Sequence, residues 1–140
     1  MPDNKNISMH EDMYMHEDME MENPGMMHDN MHHMNHESLL DTLQDCEETC
    51  EHMTTHLLRH KDSQRRSMQL ELLRDCADIC TFTSKYIARH STFSKYAANV
   101  CAFVCEVCGN ECLKFRDAES QRCGRICLDC ARACRAFAMM

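Results

Sequence analysis

The chain has 140 residues and a formal net charge of −8, with 12 Cys, 14 Met and 10 His against only 3 Gly, 2 Pro and no Trp. So few turn formers exclude an all-β fold, and no basic stripe of the kind nucleic-acid binding requires is present. No stretch reaches the roughly 18 apolar residues of a membrane span and no apolar export segment opens the chain, so the expected setting is a reducing cytoplasm, where thiols persist.

Residues 1–36 hold ten Met, six His and eight acids against Lys5 alone, with no Leu, Val or Phe. Met-His-Glu-Asp-Met occurs twice, at Met9–Met13 and Met15–Met19, and Asn23-Pro24-Gly25 interrupts any helix. Such a segment lacks the apolar surface to offset its ordering entropy, which predicts a disordered acidic tail up to residue 36. Its thioethers and imidazoles suit copper.

From residue 37 onward the pattern is helical. The first segment, about 38–60, carries Leu39, Leu43, Cys46, Cys50, Met53 and Leu57 at steps of four and three. The second, about 67–90, repeats those steps through Leu72 or Leu73, Cys76, Cys80, Thr83 and Ile87. The third, about 92–115, places Ala97, Cys101, Cys105, Cys108, Cys112 and Phe115 on one face, and the fourth, about 119–138, does so with Cys123, Cys127, Cys130 and Cys134. Each is an amphipathic stripe. Short polar links between helices of this length make antiparallel neighbours, so residues 37–140 are expected to form an all-α, up-down four-helix bundle.

All twelve cysteines fall into Cys-x3-Cys pairs, and the third and fourth segments share a Cys-x3-Cys-x2-Cys-x3-Cys run. At 100° per residue those four positions span an arc of about 60° and a length of roughly 16 Å. Every cysteine therefore points along the apolar stripe, into the core. Counting outward from the loops puts Cys46, Cys80, Cys101 and Cys134 in one layer. Cys50, Cys76, Cys105, Cys108, Cys127 and Cys130 then fill the middle. Cys112 and Cys123 close the end where Met53 and His56 also lie.

Soft thiolate and thioether donors select Cu(I), which accepts two or three sulfurs, and bridging thiolates would hold on the order of a dozen ions. Met53 and His56 are further candidate ligands at the bundle mouth. Zinc sites and iron–sulfur clusters use isolated quartets, commonly at loops, and are the alternative metal readings. A disulfide-linked helical redox or chaperone protein is the alternative without metal. No phosphate loop, activated Ser or acid pair appears, so no catalysis is expected.

The runs Asp75–Cys80, Cys101–Cys112 and Cys123–Cys134 resemble those of the bacterial copper storage proteins, four-helix bundles filled with Cu(I)-thiolate. The resemblance covers about residues 37–140. It implies storage or buffering of multiple Cu(I) ions, no catalysis and frequent association into larger oligomers; a copper chaperone or a small thiol is the expected donor. Hydropathy and charge give no expectation of a membrane or nucleic-acid partner. The chain departs from the family pattern in carrying one cysteine pair on each of the first two helices. Glu119 and Gln121 also stand where members often have His.

Overall fold

The computed structural model describes residues 27–140, with side chains from His36 onward. The elements are α1 (Met27–Leu58), a 3-10 turn (Ser63–Arg66), α2 (Ser67–Ala88), α3 (Ser94–Cys112) and α4 (Ala118–Ala138). No strand occurs among the described residues. The chain divides into two compact units, Met1–Glu37 and Ser38–Met140, and the second is an antiparallel four-helix bundle.

The first helix begins at Met27, within the segment whose composition predicts disorder. Past Gly25 no Gly or Pro interrupts the chain until Gly109. A helix already nucleated by a packed stretch extends at little cost through residues of neutral propensity. The repeated Met-His-Glu-Asp-Met motifs, with the copper binding expected of them, lie outside the described residues.

The helix ends are set locally. His90 takes a left-handed backbone (φ 52), its amide donates to Ile87 O at 3.0 Å, and the amide of Ser91 donates to Tyr86 O at 3.0 Å. This is the paired closure that usually uses glycine at the left-handed position. The helix α4 starts at Asp117, whose carboxylate accepts the Ser120 amide at 3.0 Å, satisfying one of the donors every helix start leaves free.

Two glycines set the spacing of α3 and α4. A Cβ on Gly109 would stand 2.9 Å from Gly124 O and 2.9 Å from Leu128 Cγ, and one on Gly124 would stand 2.8 Å from Leu113. Only side chains of zero volume let the two backbones meet this closely.

The bundle interior is graded along its length. Its larger apolar residues sit towards the ends, with Leu39, Leu43 and Ile87 at one and Leu57 and Leu73 at the other, while the middle holds only Cys and Ala. At the end near the first and third connections a buried polar group closes the core. Arg66 Nη1 donates to Gln69 Oε1 (3.0 Å) and Ser120 Oγ (3.1 Å), and Gln69 Nε2 donates to Ser120 Oγ (2.9 Å). Arg66 also pairs with Asp117 at 3.0 Å, and its guanidinium lies 4.1 Å from the centre of the Phe115 ring. Burial pushes the Asp117 carboxyl up, but the Ser120 hydroxyl and amide and the Arg66 charge outweigh it and hold the group below the usual range.

Candidate metal centre

Each helix presents its cysteines on one stripe because their spacing matches the helical period. All twelve are free thiols, and none has any exposed surface. Three groups of sulfurs lie within 4.8 Å of one another: Cys46, Cys50, Cys76 and Cys127; Cys46, Cys80, Cys105 and Cys130; and Cys101, Cys130 and Cys134. Cys46 belongs to the first two groups and Cys130 to the last two.

Single contacts join the groups into one column. Cys50 Sγ lies 3.5 Å from Cys127 Sγ, and Cys76 Sγ lies 3.5 Å from Cys105 Sγ. Cys80 is 3.8 Å from Cys101, and Cys127 is 4.0 Å from Cys108. Cys112 and Cys123 lie one helical turn farther along α3 and α4, buried in the same core cluster.

One part of the expected layering is corrected. Cys46 and Cys80 do share a level, but Cys134 lies farther along, with Cys101 and Cys130. Counting from loops assumes equal rise and equal helix ends. The offset falls between the α1–α2 pair and the α3–α4 pair, so it is set by how those two hairpins slide past each other. Met53 is 2% exposed and forms the floor of a side cavity with Glu48, His52, Glu119 and Arg122 around it. His56 is half-buried and packs edge-on against His60, with ring centres 5.0 Å apart; it does not line that cavity.

Protons divide unevenly along the column. Where two sulfurs touch, one holds the hydrogen and the other accepts it. Contact with Cys101 and Cys105, then burial, pushes the Cys80 thiol above its ordinary range. Cys105 is pushed up by Cys101 and Cys130, and Cys127 by Cys108 and Cys123. The partners go the other way: Cys46 is pulled down mainly by Cys105 and Cys127, Cys101 by Cys105 and Cys130, and Cys108 by Cys112 and Cys127. The interior is thus a chain of close S···S contacts whose thiols differ in how readily they give up a proton.

The sequence analysis missed the closing group Arg66, Gln69, Asp117 and Ser120. The signal was present in Asp117-Ala118-Glu119-Ser120, an acidic residue just ahead of a periodic segment. It noted Gln121 but not its role: the side-chain amide donates to Leu113 O (3.0 Å) and Phe115 O (2.6 Å) and ties down the turn from α3 to α4.

Fold and site together define a class: an all-α bundle whose centre is a continuous file of soft donors. The model of the copper storage protein family matches residues 32–139, and the chain belongs to that family. Among solved structures it is similar to copper storage protein 3 from Bacillus subtilis. With the apo form the identity is 35%, the match covers 73% of this chain and 97% of that one, and the TM-score is 0.69. With the Cu(I)-bound form the identity is again 35%, coverage is 74% and 98%, and the TM-score is 0.72. A copper storage protein from Streptomyces lividans, loaded with 10 copper equivalents, shares the fold at 22% identity, over 76% of this chain and 85% of that one, with a TM-score of 0.72. The uncharacterized cysteine-rich protein YhjQ of Bacillus subtilis (strain 168) is 40% identical over 48 residues, 34% of this chain. That match spans less than half of the relative's own length, 44%.

Proposed function

We propose that this chain takes up Cu(I) and stores or buffers many such ions on the thiolates of the twelve core cysteines. The observation that carries the reading is a charge balance. The thiols are wholly buried, and the only charged side chain among the buried described residues is Arg66, at one end. A buried net charge is very costly. One Cu(I) replacing one thiol proton leaves the interior neutral. A Zn(II) held by four thiolates would leave two uncompensated negative charges in the same volume. The column therefore favours a soft monovalent ion at about one per sulfur. Nothing in this chemistry requires catalysis.

The test is anaerobic titration of the reduced protein with Cu(I) against a coloured competing chelator. About a dozen tightly held ions are expected; binding of only one or two would defeat storage. Supply by a small thiol or a copper chaperone belongs to the same reading. So does a cytosolic location, supported by a cytosolic relative from Streptomyces lividans and by thiols that need a reducing setting.

Self-association is also part of the proposal. Phe82, Phe93, Tyr96, Val100 and Phe103 are exposed on or between α2 and α3, and Phe82 stacks on Tyr86 with ring centres 4.4 Å apart. Contiguous exposed apolar strips of this kind mark association surfaces. Sedimentation velocity of the apo protein is expected to show an oligomer that Phe103→Asp dissociates; a monomer at all concentrations would remove this element.

A further inference from the structure

A store needs a way in, and the column has no open end. Towards the α2–α3 connection the core terminates in Leu43, Thr83 and Ile87, all 0–1% exposed, and a charged ion crossing such an apolar layer would lose all its ligands. At the opposite end the Gln69–Ser120 hydrogen bond lies across the core under Arg66. Arg66 is pinned there by Asp62 and Asp117, so the group that crosses the core is fixed in place. Gln121 is occupied in holding the neighbouring turn. Both axial routes are therefore closed, one by desolvation and one by a buried hydrogen-bonded group.

The side of the bundle differs. Between α1 and α4 lies a cavity of about 320 Å³ whose walls carry Glu48 and His52 from α1 and Glu119 and Arg122 from α4, with Met53 at its base. Two carboxylates and an imidazole against one guanidinium make a wall that attracts a monovalent cation. Among the described residues, none of those four wall side chains forms a hydrogen bond or ion pair. Met53 stands one helical turn beyond Cys50, Arg122 directly precedes Cys123 in α4, and Met53, Cys50 and Cys123 are buried in the same core cluster. The thioether thus separates the cavity from the column. A methionine is flexible and carries a soft donor, so it can turn outward, take a Cu(I) ion and turn back without leaving it uncoordinated.

We infer that Cu(I) enters this bundle laterally, between α1 and α4, with Met53 as a thioether gate at the floor of the Glu48/His52/Glu119 cavity, and not along the bundle axis. The inference rests on the storage reading and adds its route. It also gives a use to Glu119, which stands where the family often has His.

The experiment is stopped-flow uptake from Cu(I)-bicinchoninate under anaerobic conditions, read as rate and final capacity separately. Met53→Leu conserves volume and removes only the sulfur. It is expected to slow uptake by about tenfold or more while final capacity stays within one ion of the parent. Ala118→Trp, at an exposed position on the cavity rim, obstructs the mouth without touching the core and is expected to slow uptake similarly. Dismantling the axial closure with Gln69→Leu and Ser120→Ala together is expected to leave the rate unchanged. Parent-like rates in both Met53→Leu and Ala118→Trp, or faster loading in the axial variant, would overturn the lateral route. A parent protein that binds only one or two ions would instead sink the storage reading, and the route with it, by a loss of capacity rather than a change of rate.

Discussion

Replacing Cys46 with Ala is expected to lower the number of tightly bound Cu(I) ions by about two to four, whereas Cys112→Ala lowers it by about one. The asymmetry follows from position. Cys46 is shared by two four-sulfur groups, lying 3.7 Å from Cys76 and 3.9 Å from Cys127. Its loss leaves both groups with three donors and interrupts the bridging sequence between them. Cys112 stands at the end of the column and belongs to none of the three groups, so its removal shortens the file without breaking it. Both substitutions are small and apolar, so the folded apo state is retained. Competition titration of the two variants beside the parent checks the result, and equal losses would show that the sulfurs act as independent sites.

Gly109→Ala is expected to destabilise the apo bundle by about 2 kcal/mol, the order of an overpacked core position, even though Ala is favoured over Gly in a helix by about 1 kcal/mol. The opposing contributions can be weighed. The gain in propensity is local to α3. The new methyl would meet the Gly124 carbonyl at 2.9 Å, and a backbone oxygen inside a helix cannot turn aside as a flexible side chain can. The helices must separate instead, which also widens the 4.0 Å Cys108–Cys127 contact. Thermal unfolding of the reduced apo protein by circular dichroism should show a Tm lower by roughly 10 °C for a domain of this size. A raised Tm would mean that α3 and α4 part freely and that the glycine pair has no packing role.

These two results separate what a single helix dictates from what the assembly dictates. The inward direction of every cysteine is visible in the spacing of Cys101, Cys105, Cys108 and Cys112, because phase around a helix axis depends only on residue number. The four helices, their short connections and the soft-donor chemistry are legible for the same reason. The level of Cys134 relative to Cys46 is not, because it depends on how far one helix slides past another. The same holds for Gly109 and Gly124, which look like poor helix formers until two backbones are brought together. Met53 reads in the sequence as a residue of the apolar stripe and a candidate ligand, and only the tertiary structure places a cavity beside it.

The amino-acid order alone thus determined the secondary structure of the bundle, the burial of its sulfurs and their preference for a soft ion. All three follow from short-range periodicity and from the chemistry of single side chains. Tertiary structure decided which sulfurs are shared between groups, which end Arg66 closes, and where a side opening remains. Those depend on helix stagger and on a loop folding back over the core, and both are set by contacts between residues far apart in the chain.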